Sequence, residues 1–213
     1  MDGYGWAHGV LDEAVLGGAA AGDIRHYVAS LTARRYERLE GDGAERPDAF
    51  TPADIAATMS LSLPWHGVAA LECLWSRVDQ LNDLLAEVAH TPMHDAPAAA
   101  YAPDGPVDRL WQALTETPGI AAPVAGKLLA RKRPHHVPVY DPVVLDVLGW
   151  PEDFWQCLHS WFAADPGRAG QVAQVRADAG MHEGTSLLRC VDIALWMFAK
   201  RLNVASSAPG SVI

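Results

Sequence analysis

Residues 114–148 read LTETPGIAAPVAGKLLARKRPHHVPVYDPVVLDVL, and this stretch decides the expected fold. Apolar residues at helical spacing are interrupted at residues 117–119, resume through Leu128 and Leu129, and are interrupted again by prolines at 134 and 138. A new helix is predicted after Asp141-Pro142, because aspartate suits the N-cap and proline suits the first helical turn. The stretch therefore predicts a helix, a tight turn, a second helix, a short loop and a third helix.

The rest of the chain is also typical of an all-α protein. Helical periodicity recurs throughout, and few β-branched runs alternate with polar residues as strands would require. Residues 51–54, TPAD, predict a helix start with Thr51 as its cap. The last helix, from Ser186, is apolar nearly all round, which predicts that it lies in the core.

Bulk properties favour an ordinary soluble protein. Of the 213 residues, 50% are hydrophobic and 20% are charged, which is typical of globular proteins. No apolar run approaches the length needed to span a bilayer, and the N-terminus lacks the pattern of a signal peptide. No membrane partner is expected, and a cytoplasmic location is the default.

The formal net charge of −10 argues against nucleic acid as a partner, since proteins that bind it usually present a basic face. The best local basic patch comprises Lys127, Arg131, Lys132 and Arg133. It has two interpretations that the sequence leaves open. In the first, the cations face a phosphate backbone; in the second, they complement the dipole at a helix C-terminus.

The three cysteines are far apart and lack the spacing of a zinc or iron–sulfur site, so buried free thiols and no metal are expected.

The chain has eight tryptophans, which suit cores, interfaces and pockets for aromatic ligands. Tyr140, Trp65 and His66 are the candidate residues of a substrate pocket.

Two segments of the stretch resemble the helix-hairpin-helix DNA glycosylase superfamily, and within it the endonuclease III-like enzymes. Those proteins have a Leu-Pro-Gly-Val-Gly hairpin, a helix, and then a Val-Asp pair that opens the next helix. Here Pro118-Gly119-Ile120 stands at the hairpin and Val139-Tyr140-Asp141 at the aspartate. The flanks FTPADIAATMSLSLP (50–64) and SLLRCVDIALWMF (186–198) instead resemble an uncharacterised bacterial family.

The resemblance implies a fold of two helical lobes around a cleft within a single all-α domain, residues 1–213. The helix-hairpin-helix would occupy residues 107–133, and the helix start that carries the aspartate would occupy 139–148. The N- and C-terminal helices, 1–40 and 151–203, are expected to pack together as the second lobe.

The resemblance also implies a chemistry. Backbone N–H groups at Gly119, Ile120 and Ala121 would hold a DNA phosphate, often with a bound monovalent cation in that family. No other cofactor is expected. The target base would leave the stack and enter the cleft. Asp141 would stabilise positive charge on the sugar as the glycosidic bond breaks, or activate water.

Three departures from the family pattern limit this activity. Ala121 replaces the second hairpin glycine, and a left-handed backbone at an alanine would be strained. Pro123 occupies the position of the nucleophilic lysine in bifunctional members, which argues against a Schiff-base lyase, and Lys127 is not its substitute. No C-terminal four-cysteine cluster is present.

Three functions remain open. The first is a monofunctional glycosylase, a hydrolase whose partner is nucleic acid. The second is a biosynthetic enzyme on the same fold that acts on a free aromatic amine or an indole-like molecule, with Asp141 as acid, base or stabiliser of an iminium-like cation. The third is a non-catalytic binding protein, in which Asp141 only caps a helix. The oligomeric state is left open.

Overall fold

The computed structural model describes residues 3–29, 46–61 and 67–207 of the chain, and within these ranges it contains helices and no strand. The expected all-α class is confirmed. None of the described helices is long and apolar enough to cross a membrane. Eleven α-helices occur in the described ranges: α1 (Gly5–Leu16), α2 (Ala20–Val28), α3 (Pro52–Met59), α4 (Gly67–Leu71), α5 (Val78–Glu87), α6 (Pro106–Thr115), α7 (Ala122–Lys132), α8 (Pro142–Val147), α9 (Phe154–Ala163), α10 (Arg168–Asp178) and α11 (Leu187–Ser207).

Three shorter helical segments complete the secondary structure of these ranges. A π-helix, Glu72–Ser76, continues directly from α4, and two 3-10 turns, Met93–Asp95 and Ala98–Tyr101, precede α6.

The chain divides into two compact units. One unit contains residues 1–28 and 142–213, and the other contains residues 29–141. In the first unit, α11 packs against α1, α2, α8 and α10, while α1 also packs against α9 and α10. The core of this unit includes Leu11, Ile24, Leu158, Trp161, Val191 and Leu195. Residues 186–199 are largely buried, as their nearly continuous apolar sequence predicts.

The second unit contains α3 to α7. Its α7 packs against α3 and α6, and α5 also packs against α6. Leucines dominate its core: Leu81, Leu85, Leu110, Leu114, Leu128 and Leu129 are each at most 1% exposed. The cleft and the membership of the glycosylase fold stay predictions.

The start of α3 is fixed by its own sequence, as predicted. The Asp54 N–H donates to the Thr51 hydroxyl at 3.3 Å, and the Thr51 N–H donates to Asp54 Oδ2 at 2.8 Å. This reciprocal capping box satisfies N–H groups that the first turn of a helix leaves without partners. It also leaves the Asp54 carboxylate inside the second unit, fully buried.

A tight turn joins α6 to α7. The Ile120 N–H donates to the Thr117 carbonyl at 3.0 Å, and Gly119 has a φ of +86°. Proline followed by glycine with a positive φ is the pattern of a type II turn. Ala121, by contrast, is extended with φ −78° and ψ 158°. The strain expected of a left-handed alanine therefore does not arise, because the backbone there is not left-handed.

Candidate functional site

Asp141 and Lys127 form an ion pair in the second unit. The Lys127 ammonium lies 3.3 Å from Asp141 Oδ2, and the side chains are 8% and 18% exposed, respectively. A buried ammonium is unfavourable unless it is paired, so this carboxylate supplies the charge that Lys127 requires. The carboxylate is the more exposed of the two partners.

The position of this pair depends on a glycine in the middle of α7. A Cβ atom placed on Gly126 would lie 2.3 Å from the Cβ of Tyr140 and 3.1 Å from its Cα and backbone nitrogen. The helix and the segment before Asp141 thus approach each other more closely than any other residue would allow. Since Lys127 follows Gly126 and Asp141 follows Tyr140, the close approach places the two charges side by side.

Tyr140, the residue before Asp141, packs against a second aromatic ring. The ring centroids of Tyr140 and Trp111, the latter on α6, lie 4.9 Å apart at an interplanar angle of 51°. Both residues are half-buried. Burial raises the pKa of the Tyr140 phenol, so this hydroxyl stays protonated at neutral pH and can donate a hydrogen bond.

The segment that leads to Asp141 is anchored at two points. The Met93 N–H donates to the His135 carbonyl at 2.8 Å. His136 is buried against Tyr101, with ring centroids 5.0 Å apart, and the Tyr101 hydroxyl donates to the His136 carbonyl at 3.0 Å. His136 Nδ1 lies 2.7 Å from the Thr91 carbonyl, which fits a ring protonated at that nitrogen. These contacts hold the backbone before Tyr140 and Asp141 in one place.

The predicted basic patch is not a surface patch. Lys127, Arg131, Lys132 and Arg133 are all at most 6% exposed. Arg131 Nε lies 2.8 Å from Asp54 Oδ1, and Lys132 Nζ lies 2.5 Å from Asp54 Oδ2. Two of the four cations thus share one buried carboxylate, and Lys127 pairs with Asp141 as described.

Arg133 links the C-terminal end of α5 to the segment before α3 through hydrogen bonds. It donates to the carbonyl groups of Leu85, Val88 and Pro47 and to Asp48 Oδ1, the last at 2.5 Å. Burial lowers the pKa of both Lys132 and Arg133. These side chains are therefore bound within the unit and are not available to a phosphate backbone, which corrects the interpretation of this run as a DNA-facing patch.

The predicted hairpin residues form the turn between α6 and α7 and its junction with α7. Gly119 and Ala121 are exposed, whereas the Ile120 side chain is buried. Their function as a phosphate site stays a prediction. Trp65 and His66, the other predicted pocket residues, lie outside the described residues.

Sequence reasoning missed two members of the site. Trp111 belongs to an apolar helical stripe with Val107, Leu110 and Leu114, a pattern that gives no link to Tyr140. Gly126 did carry a signal: a glycine inside a helix costs about 1 kcal/mol relative to alanine, so its presence suggests a packing reason. The close approach to Tyr140 is that reason.

The cysteines and the metal-binding potential add no further site. Cys73, Cys157 and Cys190 are free and buried, as expected. Burial raises the pKa of the Cys73 thiol to about 11 and those of Cys157 and Cys190 to about 12. Within the described ranges, no group of three or more His, Cys, Asp or Glu side chains is arranged to hold a metal ion.

The chain was compared with family models, curated proteins and solved structures. The model of a family described as "Family of unknown function (DUF6308)" matches residues 20–199. No curated protein and no solved structure matches the chain. Because the family model covers most of its length, the chain belongs to DUF6308, a family of unknown function.

Proposed function

We propose that the chain is an enzyme that binds a small, flat aromatic molecule beside Asp141 and uses this carboxylate as a general acid or base, or to stabilise a positive charge. One observation carries the proposal. A partly exposed carboxylate is paired with a buried ammonium at 3.3 Å, and the residue before it, Tyr140, packs its half-buried ring against that of Trp111.

Asp141 is suited to bind or stabilise a positive charge on a ligand. A carboxylate held in a partly dry site interacts more strongly with a nearby cation than it would in water. Lys127 compensates this charge while the site is empty. A substrate that carries a cation, or develops one as an iminium or oxocarbenium ion, would compete with Lys127 for the same carboxylate.

The aromatic neighbours indicate the shape of the substrate. Tyr140 and Trp111 provide ring faces and edges on which a planar ring can stack. Their π-systems also attract a cationic ring. A protonated aromatic amine or an indole-like molecule matches both the rings and the carboxylate.

The electrostatics favour a free small molecule over nucleic acid. Binding to DNA depends on cations that neutralise phosphates. The four cations of the predicted basic patch are instead buried and bound within the second unit. The chain also has a net charge of −10.

A second candidate is a monofunctional N-glycosylase acting on nucleic acid. The observation that favours it is the order of elements: α6, the turn at Thr117–Ile120, α7 and then Asp141 occur in the order that the glycosylase resemblance implies. In this candidate Gly119, Ile120 and Ala121 would hold a phosphate with the help of a monovalent cation.

Isothermal titration calorimetry with four probes separates the two candidates. Tryptamine, indole and indole-3-acetate share the indole ring and carry charges of about +1, 0 and −1, respectively, at neutral pH. The fourth probe is a short DNA duplex. The first proposal predicts that tryptamine binds best and indole-3-acetate worst, and that Asp141→Asn removes this order. Equal affinity for the three indoles would contradict it. Duplex binding that weakens steeply with salt would favour the glycosylase.

A further inference from the structure

The helix formed by α4 and the following π-helix is apolar on two sides. Ala69 and Cys73 face the core and are at most 1% exposed. On the outer side, Val68, Leu71 and Trp75 are 64%, 63% and 82% exposed. A helix that is hydrophobic all round is normally covered on every side, in a core or by a partner. Here the outer side faces solvent.

The three exposed residues form one continuous face. Their spacing of i, i+3 and i+7 places them on the same side of a helix, over about 10 Å along its axis. Glu72–Ser76 is a π-helix, with the Arg77 N–H bonded to the Glu72 carbonyl at 2.9 Å. Such π turns are frequent at functional positions. Trp75 lies within this turn and is the most exposed large hydrophobic residue of the described ranges.

The segment that carries this face is mostly acidic, since residues 68–83 contain three carboxylates and one cation. Glu72 is half-buried within the same π-helix, while Asp79 and Asp83 are exposed on α5, the next helix in the chain. Arg77, the one cation among residues 68–83, donates to the Ala113 carbonyl and to the Thr117 hydroxyl, so its charge is engaged within the second unit. An apolar stripe with carboxylates beside it is complementary to an apolar stripe with cations beside it.

A second copy of the chain is a poor occupant for this face. It would bring the same carboxylates to the contact, and each copy has a net charge of −10. Like charges that meet across an interface oppose association.

We propose that the face formed by Val68, Leu71 and Trp75 binds an amphipathic helix of another protein, whose apolar stripe is flanked by lysine or arginine. Two helical turns of apolar side chains match the spacing by which one helix packs along another. An exposed tryptophan is also the residue type that most often dominates the binding energy of an interface. This inference does not depend on the function proposed for Asp141.

Two synthetic helical peptides test the proposal on the full chain. Both carry the same leucine stripe, flanked by lysines in one peptide and by glutamates in the other, and binding is followed by fluorescence anisotropy of a label on the peptide. The basic peptide should bind the wild type, and Trp75→Ala should weaken it by about tenfold or more. Trp150→Ala, which removes an exposed tryptophan in the other unit, should change the affinity by less than about twofold.

Several outcomes would overturn the proposal. They are no binding of the basic peptide to the wild type, equal binding to wild type and Trp75→Ala, and binding of the acidic peptide as tight as that of the basic one. A dimer in analytical ultracentrifugation that Trp75→Ala dissociates would assign the face to a second copy instead. Because the Trp75 side chain is mostly in solvent, circular dichroism should show Trp75→Ala to be folded.

Discussion

A Cβ atom on Gly126 would lie 2.3 Å from the Cβ of Tyr140, so α7 meets the segment before Asp141 at a point where only glycine fits. The contact explains two features of the site at once. It brings the Tyr140 ring to its position beside Trp111, and it sets the Lys127 ammonium opposite the Asp141 carboxylate.

Gly126→Ala should therefore destabilise the protein, although alanine is the better helix former. Overpacking at a closed contact costs about 1–3 kcal/mol, which exceeds the gain in helix propensity. Urea denaturation measures the free energy of unfolding. The matched control is Gly170→Ala on α10, where an added Cβ meets nothing within 4 Å, and which should be neutral or stabilising by up to about 1 kcal/mol. Equal effects of the two substitutions would show that the close approach is unimportant.

Asp54→Asn should be among the most destabilising single changes in the second unit. It removes the charge that Arg131 and Lys132 share and leaves two buried cations without that carboxylate. Breaking a buried ion pair from one side costs about 3–5 kcal/mol. Glu87→Gln is the control, because Glu87 pairs with Arg109 at the surface, where such pairs contribute about 0–1 kcal/mol. A similar fall in the free energy of unfolding for both variants would contradict the assignment of a buried cluster.

Removing the charge of Lys127 and removing that of Asp141 should change the affinity for tryptamine in opposite directions. If Lys127 competes with a cationic ligand for Asp141, Lys127→Met should strengthen tryptamine binding by about three- to tenfold, because the competing charge is gone. Asp141→Asn should weaken it, and Lys127→Arg should stay close to the wild type. Calorimetric titration of the three variants checks the signs. Weaker binding in Lys127→Met would show that the ammonium supports the ligand and does not compete with it.

The buried thiols predict a loss of stability at alkaline pH. Their ordinary pKa is 9.0, and burial raises the pKa of Cys157 and Cys190 to about 12 and that of Cys73 to about 11. Above pH 9 the unfolded chain releases these protons while the folded chain keeps them. The free energy of unfolding should then fall as pH rises from about 9 towards 11.

Urea denaturation at pH 8 and pH 10 measures this fall. In Cys190→Ala the difference between the two pH values should be smaller than in the wild type, because one titrating thiol is absent. A thiol reagent such as dithionitrobenzoate should also label none of the three cysteines until the protein is unfolded. Rapid labelling of the native protein at neutral pH would contradict their burial.

Local signals in the sequence predicted local structure well. Thr51 and Asp54 cap α3 because their reciprocal bonds involve residues three positions apart. Pro118 and Gly119 predict the turn because a fixed φ and a positive φ are properties of those residues alone. The all-helical class follows in the same way from periodicity.

Contacts between distant residues could not be predicted in this way. Arg131 pairs with Asp54, 77 positions earlier in the chain, and no local pattern links the two. A run of three cations looks like a surface patch because charged residues are seldom fully buried without a partner. The same limit applies to the candidate site: the sequence made Tyr140 and Asp141 candidates, but did not predict that Trp111 lies beside Tyr140 or that Lys127 pairs with Asp141.

The ratio of the dissociation constants of indole and tryptamine, measured by calorimetry in the wild type and in Asp141→Asn, tests the central claim most directly. The two ligands share a ring and differ in an ammonium group, so the ratio isolates the contribution of the carboxylate. The proposed function predicts a preference for tryptamine of about tenfold or more in the wild type, and a ratio close to one in Asp141→Asn. The same ratio in both proteins would contradict the assignment of Asp141 as the binding and catalytic carboxylate.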